Sequence, residues 1–413
     1  MDSLHIDPAR IADLPLSALD PAVPEYFADD SVYEIFTRLR AEAPVHYTTV
    51  GPDAPYWSVT RYADIMAVDT NHKVYSSDVV WGGVGLNDMP KDFVLPMFIS
   101  ADPPKHEAQR KVVAPILFAD HLAHLEGLIR ERAGALLDAV PLGETFDWVD
   151  AVSIELTTQM LATLFDFPWE ERRLLTRWSN VATSPPGKGV TSSEEEWQGE
   201  LMGCLQYFMN LWNERQALPP AANLISMLAH GAATRDMPPM EFLGNIMLLI
   251  VGGNDTTRNS ITGSVYALNK FPAEYEKLRL DHGLIPDLVA ETVRWQTPLS
   301  YQRRTANQDT ELAGQRIKAG EKVVMWYASG NRDEAVFERG NDFIIGRENA
   351  RRHLGFGFGI HRCFGMRLAE MQLRIVWEEI LKRWTRIEVM AEPERVSSNL
   401  IHGYTMMPVR VHA

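Results

Sequence analysis

Residues 356–365, Phe-Gly-Phe-Gly-Ile-His-Arg-Cys-Phe-Gly, set one cysteine, Cys363, among glycines and aromatics, with Gly355 just before them. Beyond the run, Leu368, Met371, Ile375, Val376 and Ile380 recur at helical spacing, so a glycine-rich turn delivers Cys363 to a helix N-terminus. Free backbone N–H groups and the positive dipole end favour a thiolate there, and a thiolate ligates iron. Gly359 and Gly365 would let the backbone approach a flat macrocycle, with Phe356 pressed against its face. A lone cysteine is more often an ordinary buried side chain beside a helix cap, and Cys363 taken alone carries that description.

A second segment is unusual in the same sense. Phe242 to Val251 is apolar on every face, which marks a helix through the centre of the protein. It then turns polar as Gly252-Gly-Asn-Asp-Thr-Thr257. Consecutive glycines in a helix cost up to ~1 kcal/mol each relative to Ala, so close approach of a ligand would compensate. The competing description is a helix end followed by a new N-cap, a common use of these residues.

Composition narrows the classes. The 413 residues are 46% hydrophobic and 9% aromatic, enough for a sizeable core. Lys plus Arg total 40 against 55 Asp plus Glu, a net charge of −15 that argues against general affinity for nucleic acid or anionic membranes. Cys204 and Cys363 are the only cysteines, too few for a disulfide framework or a Cys-rich zinc site, and they fit a reducing cytosol. The N-terminus, MDSLHIDPARIADLPLSALDP, has no basic segment followed by an apolar one, so a cytoplasmic location is expected. The longest apolar run, Ile246 to Val251, is far short of the ~20 residues of a transmembrane span.

Pro8, Pro15, Pro21 and Pro24 suggest that the first forty residues wrap the surface and stay out of the core. Tyr56-Trp-Ser-Val-Thr60 and Lys322 to Tyr327 alternate like strands. Most of the remainder has helical spacing, as in Leu125, Leu128, Ile129 and Ala133. A Pro/Gly/Ser-rich stretch from about Thr183 to Ser193 reads as a loop over a site. Glu291 and Arg294 share one helix face, as do His106 and Arg110; such pairs are commonplace on solvated helices.

FGFGIHRCFG resembles the haem-binding loop of the cytochromes P-450 at its Phe, both framework glycines, the cysteine and the glycine after it, and the other segments follow in that family's order. The resemblance runs from Trp57-Ser-Val-Thr-Arg-Tyr62 to His402-Gly-Tyr-Thr-Met-Met-Pro408. It implies a mainly α fold with a small β-rich lobe, one domain over residues 1–413, and haem b with Cys363 as axial ligand of the iron. Phe356, Gly357 and Gly365 would lie against the ring. Asp255 and Thr256 fill the positions of the acid and alcohol that pass protons to activated O2. Glu291 and Arg294 would be a buried fold-holding ion pair joined by Arg347. Propionate contacts fall to His106, Arg110, His361 and Arg304, with Arg303 adjacent, so that choice can slip by one.

The implied activity is monooxygenation, with NAD(P)H electrons arriving through a ferredoxin and its reductase, since the chain shows no flavin or nicotinamide motif. Some of Arg351, Arg352, Arg362 and Arg367 would form a cationic docking patch for an acidic ferredoxin. LLIVGGNDTTRNS and HLGFGFGIHRCFGMRLAEMQLRIVWEEILKR look most like the bacterial hydroxylases of n-alkanes, alcohols and fatty acids at the terminal carbon. Leu248, Leu249, Gly252, Leu299 and Tyr404 occupy positions that face substrate in the family. A terpene or steroid is the alternative hydrophobic substrate. A peroxide-driven peroxygenase and a non-catalytic haem sensor are alternatives of another class, against which the Asp255-Thr256 pair counts.

Overall fold

Pro239–Lys270 form one unbroken helix that runs straight through Gly252 to Thr257. This computed structural model describes residues 8–88, 93–184, 186 and 189–413. The helix end that GGNDTT would permit is absent because its polar side chains bond inward, as where Thr157 donates to Asn254 Oδ1 at 2.8 Å. At 32 residues the element spans about 48 Å. Helices Glu155–Phe165, Arg173–Thr183, Ile285–Gln296 and Met366–Arg383 pack around it. One apolar cluster includes Leu161, Ile246, Ile250, Val265 and Trp377, which fixes this central helix as the axis of the molecule.

The β-rich lobe is a five-stranded sheet in the order Val45–Thr48, Tyr56–Val59, Lys322–Trp326, Tyr301–Ala306 and Tyr75–Ser76. Two segments read as strands from their alternation pair with each other in parallel, Trp57 opposite Val323. A three-stranded sheet joins Thr145–Asp147, Arg386–Val389 and Pro408–His412. Among the described residues no single helix is long and apolar enough to cross a membrane.

The proline-containing N-terminal segment does not stay out of the core. Ile11, Leu19, Val23, Phe27, Phe36 and Leu39 form a second apolar cluster with Tyr301, Val324 and Trp326. The prolines sit at turns and helix starts, and the apolar residues between them bury against the sheet.

Glu291 and Arg294 meet at 2.7 Å with both side chains 0% exposed, and Arg347 Nε lies 3.2 Å from the same carboxylate. Arg294 also donates to the carbonyls of Asn331 and Gly340 at 2.7 Å, and Glu291 accepts the Ile344 N–H at 2.8 Å. The three residues thus tie the Ile285–Gln296 helix to the segment that leads into the cysteine loop. Glu291→Ala leaves two guanidinium groups buried beside no carboxylate and is expected to destabilise the protein by about 3–5 kcal/mol, read as a lower urea midpoint of the isolated protein.

Candidate active site

The cysteine helix, Met366–Arg383, begins after Gly365, and Cys363 sits half-buried in front of it. The Cys363 N–H donates to the Phe356 carbonyl at 2.8 Å, closing the loop back on itself. Burial pushes the Cys363 thiol up, while the N–H groups of Gly365 and Met366 and the charges of Arg110 and Arg362 pull it down. A cation bound at the sulfur would favour the thiolate further.

Phe356, Gly357, Cys363 and Gly365 line one side of a cavity of about 870 Å³. A Cβ on Gly365 would meet only Cys363 Sγ, at 3.8 Å, so the backbone there lies open to the cavity. Gly359 differs from expectation. At φ 65° its Cβ would fall 2.5 Å from the Asp69 carbonyl oxygen, so its lack of a side chain serves packing on the Tyr62–Asp69 helix and not approach to a ring.

The central helix forms the facing wall through Leu248, Leu249, Gly252, Thr256 and Ser260. Gly252 meets nothing within 4 Å of where its Cβ would be, whereas Gly253 is packed, 2.7 Å from Leu161 Cδ2. Thr256 Oγ1 donates to the Gly252 carbonyl at 3.0 Å. Its neighbour does not share that wall. Successive residues on a helix are about 100° apart, and Asp255 faces the Arg173–Thr183 helix, fully buried, with its carboxylate accepting from Ser179 and from Arg258. Arg258 in turn donates to Asn180 Oδ1 at 2.8 Å.

Leu299 is on the cavity wall, but Tyr404 is not. Its hydroxyl donates to Gln296 Oε1 at 2.9 Å, its N–H to Asn259 Oδ1 at 3.0 Å, and its ring lies 5.0 Å from the Arg395 guanidinium. These partners turn the Tyr404–Met406 strand inward, and Leu400 and Ile401 line the cavity instead. The sequence reading also missed the 79–85 run, Val-Val-Trp-Gly-Gly-Val-Gly, whose glycine-broken apolar pattern could have marked a cavity wall. Ala182 and Thr183 line the cavity from the end of their helix. Of the loop expected from Thr183 to Ser193, residues 185, 187 and 188 lie outside the described residues.

At one edge of the cavity the rings of His106 and His361 lie 4.2 Å apart, both buried, with no hydrogen bond to any of their ring nitrogens among the described residues. Burial, with Arg110 and Arg304 beside them, pushes His106 down to about 4 and His361 to about 2. Buried polar atoms without partners are rare in folded proteins, so these donors await an acceptor. Arg110 also lines the cavity and donates to the Arg362 carbonyl at 2.5 Å. Among the described residues the sole acid on the wall, Asp88, is held by Arg303 at 2.5 Å and Lys322 at 3.2 Å. A thiol at the centre, open glycine backbone around it and unpartnered donors at the rim fit a flat ring with two carboxylates, as haem b has.

Hydrogen-bond partners separate the two arginines that the sequence left open, both of which line the cavity. Arg304 stands beside the cavity histidines and reaches Asp69 at 2.8 Å. Arg303 is taken up by the 81–88 loop, through the Trp81 carbonyl and Asp88. Arg351, Arg352, Arg362 and Arg367 are all exposed; Arg351 lies 3.6 Å from Asp287, Arg352 over the Tyr62 ring and Arg362 over the Phe358 ring.

A sequence profile of the cytochrome P-450 family matches residues 283–407. Linalool 8-monooxygenase of Pseudomonas putida is 38% identical over 395 residues, covering 92% of this chain and 95% of that protein. The methyl-branched lipid omega-hydroxylase of Mycobacterium tuberculosis is 30% identical over 413 residues, covering 97% and 95%. A solved cytochrome P-450 from Novosphingobium aromaticivorans superposes with a TM-score of 0.89 at 46% identity, covering 95% of this chain and 99% of its own.

Arg304→Met is expected to speed transfer of bound haem to an acceptor globin about tenfold, and Arg303→Met to leave it within about twofold. Equal rates would take Arg304 out of the set of propionate cations.

Proposed function

This chain belongs to the cytochrome P-450 family and is a haem monooxygenase, and we propose that it hydroxylates an apolar chain, an n-alkane, alcohol or fatty acid, at its terminal carbon. The observation that carries the reading is the cavity itself. Its wall above Cys363 is aliphatic, from Leu161, Leu248, Leu249 and Leu299 to Leu400 and Ile401, and offers few polar groups to orient a functionalised substrate. The relative named as a methyl-branched lipid omega-hydroxylase supports a chain end as the point of attack. A second reading, a terpene alcohol, is favoured by the 38% identity to linalool 8-monooxygenase.

Cys363 would hold the haem iron through Sγ, with His106, Arg110, Arg304 and His361 at the propionates. When bound, haem supplies activation of O2 and transfer of one oxygen atom to a carbon–hydrogen bond, with electrons and protons delivered from outside. The N–H groups of Gly365 and Met366 share the charge on Sγ. Leu248, Leu249 and Leu299 exclude water and align the chain. Thr256 holds a proton at Oγ1, parked on the Gly252 carbonyl, and a turn about χ1 presents it to the cavity. For Asp255 to replenish that hydroxyl, its carboxylate must leave Ser179 and Arg258, so proton supply requires a rotamer change on the far side of the helix. Electrons arrive from a ferredoxin that docks on the exposed Arg351, Arg352, Arg362 and Arg367.

Titration of the ferric protein with n-alkanes, fatty acids and monoterpene alcohols, followed by the low-to-high-spin change, is expected to give the tightest response with chains. A tighter response to terpene alcohols would replace the first reading with the second. Thr256→Ala is expected to keep substrate binding while diverting most electrons to hydrogen peroxide; product formation as tightly coupled as in the parent would remove Thr256 from proton delivery.

A further inference from the structure

Asp69 is the last residue of the Tyr62–Asp69 helix and nothing in its local sequence marks it, yet it is buried and three separate parts of the site converge on its carboxylate. Arg304 donates to Oδ1 at 2.8 Å from the Tyr301–Ala306 strand. Tyr327 Oη donates to Oδ2 at 3.0 Å, and the Phe358 N–H, inside the cysteine loop, donates to the same oxygen at 2.8 Å. The loop is fitted to this residue in a second way. A Cβ at Gly357 would stand 3.4 Å from Oδ2, and one at Gly359 would stand 2.5 Å from the Asp69 carbonyl oxygen. Both glycines have positive φ, 62° and 65°, so the turn that presents Cys363 is moulded on Asp69.

Both side chains of the Asp69–Arg304 pair are 2% exposed. A buried ion pair costs desolvation that its attraction rarely more than offsets, so fold stability alone is a weak reason for it. What the pair does is directional. Arg304 spends one amino group on Asp69 and another on the Arg303 carbonyl at 2.8 Å, which leaves its guanidinium fixed beside His361 and His106.

We propose that Asp69 is a positioning residue for the cofactor, holding the propionate-side Arg304 and the thiolate-side cysteine loop in register through one carboxylate, and that its charge sets the reduction potential. The inference rests on the haem-thiolate assignment. Acting through Arg304 and the loop, Asp69 touches neither ring nor substrate. Its negative charge opposes addition of an electron nearby, so neutralising it favours the reduced state.

The test uses the haem-loaded protein, with the ferrous carbon monoxide spectrum of the parent read first. Absence of a thiolate–carbonyl band there would overturn the haem-thiolate assignment itself, an outcome separate from any effect of the Asp69 variant. Asp69→Asn keeps the size and an acceptor for Phe358 and Tyr327 but removes the charge. It is expected to shift the reduction potential positive and to speed haem transfer to an acceptor globin roughly tenfold. Tyr327→Phe removes one neutral donor, and is expected to speed transfer only about twofold with the potential in place. A potential in Asp69→Asn equal to the parent's overturns the proposal, as does haem transfer at the parent's rate. Should Asp69→Asn fail to accumulate with haem, Tyr327→Phe decides: faster haem transfer at an unchanged urea midpoint supports the clamp, and an unchanged rate overturns it.

Discussion

Negative charge on the Cys363 sulfur is what an iron ligand at this place would demand of the site. Burial opposes that charge, while the Gly365 and Met366 N–H groups and Arg110 and Arg362 favour it. Iron bound there would favour it further, so that ligand binding and charge balance would be one event. The same logic extends outward. Haem would bring two more anions to a wall that offers His106, His361, Arg110 and Arg304, while Asp88 on the same wall is already paired with Arg303 and Lys322. Asp69, the acid beside Arg304, stays behind the wall.

The central helix separates two kinds of chemistry by rotation alone. One face, with Leu248, Leu249, Gly252 and Thr256, belongs to the cavity; the next, with Asn254, Asp255 and Arg258, belongs to a buried polar layer against Glu155–Phe165 and Arg173–Thr183. A side chain would have to rotate to pass from one face to the other, so a step needing an anion near the cavity would depend on the packing of the Arg173–Thr183 helix. The aliphatic wall, by contrast, would discriminate by shape and by exclusion of water.

The elements legible in the sequence were those in which one local rule dominates. The cysteine loop, the apolar run of the central helix and the strand at Lys322 each carry their signal within a dozen residues, and each stands where that signal puts it. The Glu291–Arg294 spacing, ordinary on a solvated helix, is buried here by its contacts with the 331–344 segment. What escaped depends on partners distant in the chain. Tyr404 looked substrate-facing until Gln296 and Asn259 claimed its hydroxyl and amide. Gly359 looked like a cofactor contact until the Asp69 carbonyl occupied its space. Asp255 and Thr256 are adjacent in sequence, and adjacency on a helix means different faces. Asp69 carried no local pattern at all; only the fold brings Arg304, Tyr327 and Phe358 to it.

The N-terminal cluster has a consequence for how the chain is made. Phe27 and Phe36 pack on Trp326, and Tyr301, Val324 and Ala328 complete the same pocket, so residues that leave the ribosome early acquire their partners only after most of the chain has followed. Until the sheet is complete, these apolar residues have no partners to bury them, and a slower synthesis of the later part would lengthen that interval.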